Sequence, residues 1–540
     1  MKILLDLLGA ILLLSGASSA EELDENEFER YSALSVHPVC INLASRARLA
    51  SCGLFSAYQA ASLHDYILRS GDILSASELG TVPGFTQEQA AALRYFVSFE
   101  SSHSPGRRRN RRLQQSAMLR YSGDAGSGKY HARYGESAEL FVSQRDAATV
   151  SLALYGRRPW KMVAGDFNAR LAQGLLAWSG FSMSGVPTVT AFRRNATGFS
   201  PTGSFSPAMR GLAAEWASQS WSTGAAATLD GRMMGYITLG SRWFSLGANG
   251  CTGPESNGIS LDWKLGNGHV LCFGEAAWHS APAAICGLSW TPAYKTEAAL
   301  LLRWYSPGFN SIGAGAVRSS TKVHDEAGLS AGFNHRWLGF TADLAVHPEK
   351  LRQRKKEYQQ FKSVMNVTPA FTFRRVELRP SIRWTERMRM SPAPGGYNTE
   401  WRHDLRACLD FSLAGWKTGI KLNGVQNSGR RPGYLASFEA GYRTPSDTAK
   451  IQLFCYMKGT TCETPDWASR IYSYERDLPG AFNVSAWYGS MHGCSFVAGI
   501  KYRHRKIRHQ FNLRCAITHY AKQSGKAPRR ELKLQYQISL

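Results

Sequence analysis

Apolar and polar residues alternate one by one over long stretches of the chain. In the final ten residues Leu532, Leu534, Tyr536, Ile538 and Leu540 are separated by Lys533, Gln535, Gln537 and Ser539. A period of two is the strand period, because neighbouring side chains leave a pleat on opposite faces. The pattern returns upstream. Phe340, Ala342, Leu344 and Val346 share one face, with Thr341, Asp343 and His347 on the other. Val376, Leu378, Ile382, Trp384 and Met388 oppose Glu377, Arg379, Ser381, Arg383, Thr385, Arg387 and Arg389. Leu405, Ala407, Leu409, Phe411 and Leu413 oppose Arg406, Asp410 and Ser412, after which AGWK predicts a tight turn into a strand with Ile420 and Leu422.

A secreted sandwich and a membrane barrel both write this pattern. Length favours the barrel. Sandwich strands usually run about five or six residues, and the stretch from Val376 to Met388 exceeds that with arginines along its polar face. Strands of about ten residues are what a tilted strand needs to cross a bilayer. At roughly 21–27 residues per strand with its connection, this part of the chain predicts a large antiparallel transmembrane β-barrel of about 16–20 strands. The last strand would close the sheet against the first, leaving no edge exposed to lipid. Arg379, Arg383 and Arg387 would then face the lumen. A large secreted all-β protein is the alternative.

The period changes near residue 101. From Val39 to Phe99 the pattern is helical with short loops, whereas SSHSPGRRRNRR is a polar, basic joint. The first twenty residues hold a basic Lys2, an apolar run over Leu7–Leu14 and small residues at Ser18 and Ala20, the form of a cleaved secretory signal. That run is shorter than the roughly 20 residues of a membrane-spanning helix. The expected organisation is a signal peptide at 1–20, an acidic segment at 21–39, an all-α module at 40–100, a basic linker at 101–114 and the barrel at 115–540. Beyond residue 20 the best uncharged stretch, Leu171 to Phe192, is broken by Gly174, Gly180, Gly185 and Pro187.

Composition adds a field. The 540 residues carry a formal charge of +24, which attracts polyanions. The mean hydropathy of −0.28 suits a chain whose apolar residues alternate and never form a continuous run. Ten cysteines include no C-x-x-C, so neither a metal site nor a redox site is expected, and Cys455 with Cys462 is the pair closest in spacing for a bridge. No G-x-S-x-G elbow accompanies the fourteen histidines, and GDAGSGKY at 123–130 lacks the spacing of a phosphate loop. No catalytic residue or cofactor is expected.

Two units repeat inside the helical part. Leu49–Ile67 (LASCGLFSAYQAASLHDYI) and Leu79–Val97 (LGTVPGFTQEQAAALRYFV) align Leu49 with Leu79, Phe55 with Phe85, Ala60 with Ala90 and Leu63 with Leu93. Each reads helix, tight turn, helix. The pair resembles the tandem helix-hairpin-helix unit of exported competence proteins that bind DNA, where hairpin glycines let backbone N–H groups approach one phosphate. That resemblance points to DNA contact at Gly53, Leu54, Phe55, Ser56, Gly84, Phe85, Thr86 and Gln87, with Arg107, Arg108 and Arg109 of the joint nearby. The family's hairpin runs glycine, apolar, glycine; here Thr86 stands at the last position, and Leu54 and Ser56 flank Phe55 in the first unit. A non-glycine residue held left-handed would cost about 1–2 kcal/mol. The arginine run also reads as a solvated or headgroup-facing charge run.

Three further stretches, Val163–Phe181, Leu302–Gly328 and Ile471–Gly489, complete a resemblance to Bacteroidetes-type helix-hairpin-helix domain-containing proteins. The resemblance implies a periplasmic helical module ahead of a barrel in the cell outer membrane. Partners would be outer-membrane lipid and either DNA or a periplasmic protein docked by the module, which could also plug the lumen. Within the stretches, Asp166, Arg170 and Gln173 lie among glycines, and Gly165 and Gly174 suit close backbone approach inside a lumen. Glu475, Arg476 and Asp477 either pair across the wall or form a solute-selecting constriction.

Overall fold

The computed structural model describes residues 57–99 and 113–540, apart from short breaks such as 157–159, 180–184, 206–208, 241–243, 446–449 and 521–526, together with scattered positions between 34 and 55. The expected signal peptide, most of the acidic segment, Ser56 and the joint with Arg107, Arg108 and Arg109 lie outside the described residues.

From Leu113 onward the chain is one closed antiparallel sheet. Its staves are β1 (Leu113–Ser122), β2 (Ala125–Tyr134), β3 (Ala138–Gln144), β4 (Ala148–Tyr155), β5 (Trp160–Arg170) and β6 (Met209–Ala217). They continue with β7 (Trp221–Thr228), β8 (Met233–Gly240), β9 (Phe244–Thr252), β10 (Gly258–Gly266), β11 (Val270–His279) and β12 (Ala281–Ala293). Then come β13 (Thr296–Tyr305), β14 (Glu326–His335), β15 (Leu338–Val346), β16 (Gln359–Val367, resuming over Phe371–Phe373), β17 (Val376–Ala393) and β18 (Gly396–Leu413). The set ends with β19 (Trp416–Asn427), β20 (Gly433–Arg443), β21 (Ile451–Glu463), β22 (Ser490–His504), β23 (Ile507–Tyr520) and β24 (Arg529–Ser539). β24 pairs with both β23 and β1, with Tyr536 opposite Leu119, so the terminal alternating strand closes the barrel.

The barrel has 24 staves, more than the 16–20 expected. The difference comes from the turns. Ala414 and Gly415 alone join β18 to β19, with φ of 47° and 96° as a two-residue type I′ turn requires. Ser280, also left-handed at 63°, is the single residue between β11 and β12. Tight hairpins shorten the repeat, so the same length of chain makes more strands.

Alternation places the faces as expected. On β17 Ile382 and Trp384 are 49% and 48% exposed on the outer wall while Thr385 is buried inward. Because the count is even, β1 begins and β24 ends at one rim. That rim carries mostly short turns, and the three longest connections, 171–208, 306–325 and 464–489, all leave the opposite rim.

Ahead of the barrel lies a small helical unit with α1 (Ala57–Ser70), α2 (Ala76–Leu79) and α3 (Gln87–Leu93). Its core packs Ile41, Leu49, Leu63, Leu79, Leu93 and Phe96. A parallel two-residue pairing of Val39–Cys40 with Val97–Ser98 ties its start to its end. Asn42 holds the turn after α1 by bonding both the N–H and the C=O of Ile73 at 2.9 Å. A tandem helix-hairpin-helix is not shown by the described residues. No helix among them is long and apolar enough to cross a membrane.

Candidate functional site

The three long connections turn inward and occupy the lumen. The first begins where β5 ends. Gly165, at φ 89°, brings β5 so close to β4 that a Cβ there would lie 2.1 Å from the carbonyl oxygen of Val150. Asp166 then accepts from the Val150 N–H at 2.7 Å and from Arg210 of β6 at 2.8 Å, which sets the exit of the strand. Arg170 donates to the Ser179 carbonyl at 3.1 Å and lies 5.4 Å from the Trp178 ring centroid. The backbone N–H groups of Gln173 and Leu175 both donate to one carboxylate oxygen of buried Glu275, at 2.9 and 3.1 Å. Thus Asp166, Arg170 and Gln173 hold a bend in place.

The first and second connections pair with each other. Trp178 N–H donates to Gly313, Gly315 to Gly174 and Gly185 to Arg318, at 2.7, 2.9 and 2.6 Å. Gly174, with φ 88°, has the Ala316 nitrogen 3.2 Å from where its Cβ would be. Around these bonds Leu175, Leu176, Val189 and Phe192 pack with Phe309 and Val317 against the inward wall residues Phe273, Ile285, Leu301 and Tyr305. Arg379, Arg383 and Arg387 were expected to line the lumen; on this side it is filled by an apolar core. The alternation of β11–β13 relaxes here, since their inward faces carry Phe273, Ile285, Leu301 and Tyr305 beside the polar Glu275 and Arg303.

Below that core lies a fully buried ionic cluster. Arg303 of β13 donates to Glu326 at 2.5 Å and to Asp343 at 2.7 Å, and the hydroxyl of Ser330 accepts from it at 2.6 Å. Glu326 also accepts from the Ser319 N–H at 3.0 Å, so the second connection is bound to the same cluster. At its end Asp325, left-handed at φ 47°, caps α4 (Pro348–Arg352) through the Glu349 N–H. His347 donates from Nδ1 to the Asp325 carbonyl at 2.6 Å. Burial lowers the imidazole below its usual range, offset in part by that carbonyl.

The third connection is a hairpin of Ile471–Tyr474 and Val484–Trp487 lying inside the other half of the barrel. Ionic and polar ties reach it from staves β18 to β1. Lys458 donates to Glu475 at 3.0 Å, Arg476 to Glu439 at 2.5 Å and Lys533 to Asp477 at 2.6 Å. Arg120 and Gln535 donate to the Pro479 carbonyl at 3.1 and 3.0 Å, and Arg402 to those of Ala468 and Arg470 at 2.7 and 2.8 Å. The charges of YERD therefore pair across the wall. Burial alone would lower the Arg476 guanidinium; the Glu439 carboxylate outweighs it and the net shift is upward. Ile471 and Trp487 press on Val425, Leu435, Cys462 and Met491.

The predicted lumen arginines share the inward face of β17. Arg379 donates to Glu377 at 2.9 Å. Arg383 stands opposite Arg406 of β18, and Arg387 opposite Arg402. Alternation shows which face a residue takes and says nothing of its neighbour across the register, so Arg402, Glu439, Lys458 and Lys533 were not singled out.

The residues predicted for DNA contact are placed differently from one another. Leu54, Phe55 and Phe85 are buried in the core of the helical unit, and the Phe55 and Phe85 rings meet edge to face at 5.9 Å. Gly53 and Gly84 have φ of 73° and 94°, as hairpin glycines should. Thr86 is extended at φ −103° and caps α3 in a capping box with Gln89, so the strain expected of a non-glycine residue there is absent. Gln87 donates to the Ser77 carbonyl at 3.1 Å.

Cys455 and Cys462 lie on opposite faces of β21, exposed and buried respectively, and neither is bridged. Among the described residues no group of three His, Cys, Asp or Glu is placed to hold a metal ion.

No family model matches the chain, and no curated protein matches it. Solved structures do align with it. The P pilus usher PapC translocation pore is 10% identical with a TM-score of 0.36, over 79% of this chain and 98% of that one. Pseudomonas aeruginosa OccK10 (OpdN) is 8% identical at 0.32 over 79% and 98%, and OpdL of the same organism 8% at 0.29 over 79% and 96%. With TM-scores below 0.5, these alignments carry no argument about what this chain does.

Proposed function

We infer that the chain is an outer-membrane barrel whose lumen is a plugged conduit for an extended anionic substrate. The outer wall carries this reading. Leu212, Ile237, Leu261, Leu300, Leu329, Phe340, Leu405, Leu422, Phe438 and Leu534 are all exposed, each on a different stave around the wall, an apolar surface far larger than a soluble monomer presents. Aromatic residues gather towards both rims, as at Trp216, Trp290 and Trp416 on one and Trp278, Trp304 and Tyr434 on the other, in the manner of interfacial girdles. Short turns on the rim that holds both chain ends fit a periplasmic side, with the longer connections outside.

The helical unit would hang at that periplasmic rim. Arg133 of β2 donates to the Pro38 carbonyl at 3.0 Å, which fixes the start of the unit to the barrel. That bond, with three hairpin side chains in the unit's own core, favours a rim-docked element or a dock for a periplasmic protein. DNA remains the substrate that the hairpin resemblance suggests, and full-length protein in detergent tests it against short duplex DNA. Retardation at low salt that vanishes as salt rises supports DNA capture; no shift at micromolar protein removes DNA and leaves docking.

A further inference from the structure

We propose that the outer wall where the barrel closes, from β21 through β24 to β2, holds one anionic phospholipid, with its acyl chains in a trough across these staves and its headgroup at the basic hairpin tip between β22 and β23. Register builds the trough. Cys455, Ala498, Leu513, Leu534, Tyr121 and Gly126 stand directly opposite one another in turn from β21 to β2. Leu453, Ile500, Phe511, Tyr536, Leu119 and Gly128 form the neighbouring row on the same face. Together they line an outward-facing, mostly apolar cavity of about 1210 Å³. Its floor is low at β2, where a Cβ on Gly126 would meet nothing within 4 Å. The volume exceeds the roughly 300–1,000 Å³ of a small-molecule pocket, and an open trough suits flexible chains better than a rigid ligand.

Two features beside the trough point to an amphiphile with a negative head. Towards the rim that holds both chain ends, the outward face of β22 and β23 turns polar: Tyr502 and His504 follow Ile500, and His509 precedes Phe511. The Tyr502 and His509 rings stack at 6.2 Å, and His509 Nδ1 shares a hydrogen bond with the Tyr536 hydroxyl at 2.8 Å. Charge is the second feature. Residues 501–510 include five Lys or Arg and no Asp or Glu. Arg505 makes the turn at φ 53°, and Arg503 stands directly opposite Arg508. All three are exposed, and among the described residues no carboxylate pairs with any of them.

Like charges directly opposite each other repel, and a basic cluster at a membrane surface attracts anionic headgroups over about a Debye length. Arg503 and Arg508 leave the inward face, so their field reaches the leaflet across the end of the wall; on the lipid side Tyr502, His504 and His509 supply hydrogen bonds to phosphate oxygens. A second copy of the chain is a poorer occupant, because a two-fold pairing through the trough would bring two identical basic tips together. The site rests on the membrane reading above and names the lipid which that reading leaves open.

The test uses the full chain in an uncharged detergent, with native mass spectrometry to count retained lipid and unfolding temperature as a second readout. Phosphatidylglycerol and phosphatidylcholine are the probes. The wild type is expected to retain one phosphatidylglycerol in preference to phosphatidylcholine and to unfold at a higher temperature with it. Arg503→Gln, Arg505→Gln and Arg508→Gln together should weaken phosphatidylglycerol about tenfold or more and leave phosphatidylcholine unchanged. Gly126→Leu with Ala498→Leu fills the trough and should weaken both lipids with the charges intact, so either set tests the site should the other fail to fold. Arg354→Gln, Lys355→Gln and Lys356→Gln remove the same charge at the opposite rim and should leave retention nearly unchanged. No preference for phosphatidylglycerol, equal weakening by both charge sets, or a dimer that the trough-filling pair dissociates overturns the site. A chain that stays soluble without detergent removes the membrane reading itself, whereas one that needs detergent and retains no phosphatidylglycerol removes the site alone.

Discussion

Arg303→Met is expected to destabilise the folded barrel by on the order of 3–5 kcal/mol, because removing one member of a buried ionic cluster strands the others. Glu326 and Asp343 approach the same guanidinium, and the Arg303 and Glu326 side chains are wholly inaccessible. Losing the cation leaves two carboxylates in an apolar interior, and Glu326 would hold the second connection through Ser319 at the cost of an uncompensated charge. Chemical unfolding in lipid vesicles, followed by tryptophan fluorescence, measures the loss. The triple change Arg303→Met, Glu326→Gln, Asp343→Asn should recover most of it, since the cost lies in the stranded charge more than in the missing bonds. A single variant as stable as the wild type would contradict a dry, charge-paired cluster.

Excising the third hairpin should raise conductance through the reconstituted protein by an order of magnitude or more, because that hairpin occupies one half of an otherwise wide lumen. A circular barrel of this many strands at ~4.8 Å spacing and ~40° tilt would be about 45–50 Å across. The excision is geometrically clean. Thr464 and Gly489 already exchange hydrogen bonds at 3.0 and 2.8 Å, so a short turn can join β21 to β22 without moving either stave. A gentler version acts on the ties: Asp477→Asn and Glu439→Gln together release Lys533 and Arg476 and should produce frequent brief openings. Planar-bilayer recording distinguishes both from the quiet wild type. Unchanged current after excision would mean that the apolar core of the first two connections, and not the hairpin, closes the passage.

The faces of the wall were legible in the sequence, and the contents of the lumen were not. Alternation assigned Leu532, Leu534, Tyr536 and Ile538 to one side and Arg379, Arg383 and Arg387 to the other because a pleat leaves no third choice. It could not show that Arg383 meets Arg406, since register depends on turn length and a pairing partner that is remote in sequence. Strand number went astray for a related reason: AGWK marked the two-residue turn at Ala414–Gly415, but a one-residue turn such as that at Ser280 carries almost no compositional signal. The glycine-rich stretches Val163–Phe181 and Leu302–Gly328 stood out, yet nothing local says that Leu175 and Phe309 fold inward to meet Phe273. In the helical unit the aligned Phe55 and Phe85 belonged to the core, where symmetry of sequence reflected packing between the two halves.

The orientation of the wall is the central claim, and nitroxide scanning of β24 in lipid vesicles tests it most directly. Labels placed singly from 530 to 538 should alternate, with 532, 534, 536 and 538 accessible to dissolved oxygen and shielded from a water-soluble nickel reagent, and 531, 533, 535 and 537 shielded from oxygen. Loss of that alternation, or nickel access at 534 equal to that at 533, would contradict a lipid-facing outer row.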